Sequence, residues 1–98
     1  MPSNVVSLQP SSLVEGAYAL DHFQVGETGR IAGIRAEAEL TQRLAAMGLR
    51  EGCVVQVLRK ASFGGPMHVR VGTTEVIMRR IEAQRIAAMP LLDWVSAP

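Results

Sequence analysis

The stretch RLAAMGLREGCVVQV, residues 43–57, changes its hydrophobic period halfway along. Leading into it, Leu40, Leu44 and Met47 fall at i, i+4 and i+7, one stripe of a 3.6-residue helix. After Gly52 the chain is almost continuously apolar and β-branched to Leu58, the composition of a strand. The glycines between invite two readings. A phosphate-binding loop runs strand, glycines, helix, and carries Gly-Lys-Ser/Thr. Here the order is helix then strand, and no lysine follows either glycine. Gly48 therefore reads as a helix stop, with Leu49 folding back on the last turn. Gly52 reads as the turn that restarts the chain, leaving Arg50 and Glu51 in solvent.

Working outward, RAEAELTQRLAAMG (residues 35–48) is the one full helix, with alanines favouring it by propensity and Glu37 and Glu39 near its positive end. Before it, Leu20 to Phe23 suggests a helical turn capped by Asp21 or a neighbour. Gly26 and Gly29 bracket a turn there, ahead of a strand at Ile31-Ala32-Gly33-Ile34. After it, Met67-His68-Val69-Arg70-Val71 alternates, apolar side inward. Gly72-Thr73-Thr74 marks a hairpin turn, and Glu75 to Arg79 returns. Arg80 to Ala83 reads as one helical turn, then Arg85 to Ala88 as a last strand that Pro90 stops. About five short strands with one helix after the first predict a mainly β fold, a small closed barrel. The expected layout is an N-terminal arm over 1–16, the barrel over 17–89 and a tail over 90–98 carrying Trp94, a segment that would fold back or support weak self-association.

The composition narrows the function. Ninety-eight residues make one domain, whose core is aliphatic because Tyr18, Phe23, Phe63 and Trp94 are the only aromatics. A net charge of +1 gives no field that argues for nucleic acid or an anionic membrane. The lone Cys53 excludes an internal disulfide and fits a reducing compartment. No apolar run approaches the roughly 20 residues of a spanning helix, and no basic segment precedes an N-terminal apolar patch, so a cytoplasmic protein is expected.

No nucleophile, base and orienting group are spaced for catalysis, so neither an enzyme nor a cofactor is expected. The candidate metal ligands are His22, His68, Cys53 and nearby carboxylates; a site needs three or four converging groups, so His22 beside Asp21 and the outward His68 suit at most an adventitious ion. Arg59, Lys60, Arg70, Arg79, Arg80 and Arg85 gather in the second half. With no stacking aromatics among them, they suggest a protein partner rather than RNA. Arg43, Met47, Leu49 and Arg50, at the helix corner, form a second candidate contact. FGGPMHV (63–69) is a turn whose Phe63 either plugs the barrel end or stands out as a contact.

Taken in order, these residues resemble the FeoA family, small cytoplasmic accessory proteins of bacterial ferrous iron uptake. The resemblance rests on Arg43-Leu44, Met47-Gly48-Leu49, Gly52, Val55 and Val57, then Gly64 and Pro66, Gly72, and Ile77-Met78-Arg79-Arg80 with Glu82-Ala83 and Ile86. Upstream, Leu20-Asp21-His22-Phe23, Val25-Gly26 and Gly29-Arg30-Ile31 match the family's opening, and the likeness spans roughly 20 to 88. Gly65 stands where the family often has aspartate, so no role for that carboxylate transfers. The resemblance implies an SH3-like β-barrel, with Leu44, Gly48, Gly52, Gly64, Pro66 and Gly72 as its signature. It also implies a partner, the cytoplasmic GTP-binding part of the FeoB transporter, with no nucleic acid and no membrane insertion. An arginine such as Arg50 reaching a nucleotide would make the module a GTPase activator. The rival is the same barrel acting as the regulatory module of a metal-dependent repressor, or as a small nucleic-acid binder.

Overall fold

The computed structural model describes residues 16–91. The expected arm, apart from Gly16, and the tail beyond Leu91, with Trp94, lie outside the described residues. Six strands alternate with two helices and one 3-10 turn: β1 (Tyr18–Ala19), the turn (Leu20–His22), β2 (Thr28–Ile34), α1 (Ala38–Ala46), β3 (Val54–Lys60), β4 (Met67–Val71), β5 (Thr74–Met78), α2 (Arg80–Ala83) and β6 (Ile86–Leu91). All pairings are antiparallel, in the order β1-β6-β2-β3-β4-β5. The sixth strand is the two-residue β1, too short to leave a hydrophobic period in the sequence. β1 and β5 do not pair, so the sheet curls without closing its hydrogen-bonded ring. Register shifts between Val57 and Arg59 in β3, and between Ile31 and Gly33 in β2, bend it into this SH3-like shape.

The core follows from alternation. Val55 and Val57 of β3 and Met67 and Val69 of β4 are fully buried, and Val76 and Met78 of β5 nearly so, against Leu44 of α1 and Phe23 below the 3-10 turn. Val54, inside a run that reads as uniformly apolar, faces outward.

The corner behaves as its order of elements requires. Gly48 N–H donates to Ala45 O at 2.9 Å and Leu49 N–H donates to Leu44 O at 2.9 Å, the paired bonds of a Schellman motif. Gly48 carries φ +96, which a side chain rarely tolerates. Leu49 is 0% exposed, so it is a core residue and not a contact for a partner.

Three local expectations change. The N-cap of the 3-10 turn is Ala19, and no side chain caps it. Gly29 lies within β2 rather than in a turn, and it is glycine because of crowding: an added Cβ would sit 2.6 Å from Phe23 Cε2 and 3.1 Å from Met89 O. Pro90 does not end β6, which pairs with β2 as far as Leu91. β1 covers β6 only at Ala87 and Ala88, so among the described residues Pro90 occupies an edge, where a missing N–H costs no ladder bond.

Candidate docking surface

The β3–β4 connection, residues 61–66, is a closed loop. Ala61 N–H donates to Pro66 O at 3.0 Å and Gly65 N–H donates to Ser62 O at 3.1 Å. Arg80, the first residue of α2, holds it from outside: Nε donates to Gly65 O at 3.0 Å and Nη2 donates to Ala61 O at 2.7 Å. A planar guanidinium suits two carbonyls at once. Arg80 is therefore a structural clamp, not the free docking charge that its place in a basic cluster suggests.

At the tip of this loop Phe63 adopts φ +57 and is 105% exposed. Of the two roles open to it in the sequence, it takes the outward one. The left-handed backbone strains an aromatic residue, and the ring, left in water, gains nothing from burial.

α2 is organised around one carboxylate. Glu82 Oε1 accepts from Arg79 N–H at 2.9 Å, satisfying an orphan donor at the start of the turn. Glu82 Oε2 accepts from Arg43 Nη2 at 2.6 Å, tying α1 to α2. Arg43 is thus engaged. Arg79 has no carboxylate within ion-pair distance among the described residues. Beside it Ile77 is 63% exposed and Ile81 58% exposed. An open groove of about 610 Å³ lies between the loop (Gly64, Gly65, Pro66) and Arg79, Ile81 and Gln84. A second hollow of about 300 Å³ shares Pro66 and Arg79 and adds Met47 and Ile77.

The remaining candidates scatter. Arg50 lies across α1 from Arg43, by a hollow with Ile34, Thr41, Ala45 and Glu51. Arg70 faces its cross-strand partner Glu75 at 3.7 Å. The predicted contacts thus divide, and only Arg43, Met47, Arg79 and Arg80 share one surface. Of the signature residues, Leu44 is in the core, Gly48, Gly52, Gly64 and Gly72 have positive φ, and Pro66 lines the groove. His22 Nε2 is 4.0 Å from Asp21 Oδ1, and His68 lies on β4 opposite Arg59 and Ile77. Among the described residues no three His, Cys, Asp or Glu side chains gather as metal ligands, and no helix is long and apolar enough to cross a membrane.

Two features escaped the sequence reading. Lys60 Nζ donates to Asp21 O and Phe23 O, both at 2.9 Å, and so pins the 3-10 turn onto β3. No local pattern announces a contact across that separation. The exposure of Ile77 is the other, although alternation carries its signal: Val76 and Met78 point inward and leave it outward.

A curled six-strand sheet with one helix in the β2–β3 crossing and an outward groove defines a small SH3-like binding module. The FeoA domain model matches residues 18–90, and the chain belongs to the FeoA family, non-catalytic accessory domains of ferrous iron transport. No curated protein matches the sequence. The solution structure of FeoA from Chlorobium tepidum is 31% identical, with a TM-score of 0.71, over 76% of this chain and 70% of that one. The zinc complex of Stenotrophomonas maltophilia FeoA is described as a prokaryotic SH3-domain protein and candidate activating factor of ferrous iron transport. It is 25% identical, with a TM-score of 0.62, over 70% of this chain and 86% of that one. A manganese-dependent transcriptional repressor bound to manganese is 25% identical, with a TM-score of 0.73, over 80% of this chain but 38% of its own.

Proposed function

We propose that this chain is a regulatory binding protein of bacterial ferrous iron uptake that docks on the cytoplasmic GTP-binding part of an FeoB-type transporter and modulates it. The observation that carries this reading is the family match across residues 18–90. An exposed surface with Phe63, Ile77, Ile81 and an Arg79 that has no ion-pair partner among the described residues supports it, since apolar anchors beside a cation are what a protein partner uses. The test is co-purification of the full chain with the transporter's soluble GTP-binding part, together with GTP turnover measured with and without it. Retention with altered turnover is expected. No retention and unchanged turnover at saturating concentration would refute the reading.

The likeness to the manganese-dependent repressor favours a second reading, a regulatory module in a metal-dependent repressor system. A DNA mobility shift by the chain alone or with a repressor, falling steeply with salt, would favour it.

A further inference from the structure

An open groove lies between the β3–β4 loop and α2. Resting on the regulatory reading above but naming its surface, we propose that this groove docks an acidic segment of a partner protein through one bulky apolar side chain. That side chain packs against Phe63 and Ile81, and a neighbouring carboxylate pairs with Arg79.

Three observations converge. Among the described residues the ring of Phe63 packs on nothing, and it is held out by a left-handed backbone. Strain of this kind persists only where the surroundings impose it, and this loop is tied by its own Ala61–Pro66 and Ser62–Gly65 bonds and by Arg80 on Ala61 O and Gly65 O. The loop is therefore set before any partner arrives, which reduces the ordering cost of binding. The apolar ground is continuous: Pro66 lies in both hollows, joining Ile81 on one side to Ile77 and Met47 on the other.

Charge then selects the occupant. Arg79 and Arg80 line the main groove, and no acidic residue lines it among the described residues. Arg80 is engaged by carbonyls, and on the far side of Arg79 a separate hollow holds Glu37, Glu39 and Glu82, the last engaged by Arg43 and the Arg79 N–H. Arg79 is left as a guanidinium at the rim of an apolar trough, suited to a carboxylate in bidentate geometry. One free guanidinium is weak attraction for an anionic bilayer, which is held by clusters of cations. A second copy of the groove would bring Arg79 against Arg79.

Random peptides displayed on phage and selected on the immobilised full chain test this directly. Enriched sequences are expected to place Leu, Phe or Trp beside Asp or Glu. Their synthetic versions should bind Phe63→Asp about tenfold or more weakly, and Arg79→Glu likewise, with Arg70→Glu unaffected. Because the Phe63 ring is solvent-exposed, the Phe63→Asp variant should keep the wild-type circular dichroism spectrum. No enrichment, enrichment of basic peptides, or equal binding by Phe63→Asp overturns the proposal. So does Phe63-dependent sedimentation with phosphatidylcholine–phosphatidylserine vesicles, or a Phe63-dependent dimer in sedimentation velocity. The selection involves no transporter, so its failure leaves the iron-uptake reading to its own assay. Failure of that assay likewise leaves the peptide result standing.

Discussion

Replacing Gly29 by alanine adds one methyl group where the barrel has no room. The new Cβ would lie 2.6 Å and 2.8 Å from Phe23 Cε2 and Cζ, with Met89 O 3.1 Å away. Real contacts of a Cβ lie well beyond such distances, so something must move. The ring is poorly placed to give way: Phe23 is 0% exposed and meets Tyr18 edge-to-face with centroids 6.0 Å apart. The carbonyl belongs to β6, paired here with β2. Overpacking of this kind costs about 2–3 kcal/mol, a fall of roughly 10–20 °C in Tm for a domain this small. Phe23→Leu alone should cost about 1–2 kcal/mol by loss of packed volume. In the double variant the smaller side chain makes space for the methyl, so the two losses should fall short of additivity by at least about 1 kcal/mol. Urea unfolding of the four proteins, followed by far-ultraviolet circular dichroism, gives the cycle. Strict additivity, or a Gly29→Ala protein as stable as the parent, would show that Phe23 does not fix this glycine.

Gly48→Ala forces a side chain into φ +96 at the end of α1 and should cost about 1 kcal/mol, or roughly 4–8 °C in Tm; an unchanged melt would deny the corner its role. Glu82→Ala removes both the acceptor for the Arg79 N–H and the partner of Arg43, so its loss should be about 1–2 kcal/mol. Arg43→Ala, at a side chain 57% exposed, should cost under about 1 kcal/mol, and thermal denaturation of the two orders them. Phe63→Gly relieves the left-handed backbone while loosening the unfolded chain, two effects of about 1 kcal/mol that oppose each other. Its Tm should stay within a few degrees of the parent while peptide binding is lost, and a large destabilisation would mean that the ring packs in solution.

The helix–corner–strand passage was legible because its causes are local: a 3.6-residue stripe, a glycine one step beyond it and a β-branched run. The alternation of β4 and the short turn of α2 were legible for the same reason. Where the cause lies far along the chain, the sequence misleads. Gly29 resembles a turn residue until Phe23 is seen packed against it. Pro90 resembles a strand stop until β1 is found, among the described residues, to leave that edge open. Arg80 belongs to a basic cluster by composition, yet its partners are carbonyls of Ala61 and Gly65. Leu49 was readable both as the residue that folds back on the helix and as an outer contact, and its burial decides for the first. The surface was the least readable part, because charge runs along a sequence do not say which arginines are already engaged.

The Arg80 clamp bears on how this surface can be transplanted. The loop over 61–66 takes its shape from a residue that lies 15 and 19 positions beyond the carbonyls it holds. Grafted alone onto another barrel, the segment would arrive without its brace, and Phe63 would relax toward ordinary backbone angles. The unit of exchange is the whole span from Ala61 through Glu82, hairpin and helical turn together. A chimera made with that span should carry its partner choice along with it.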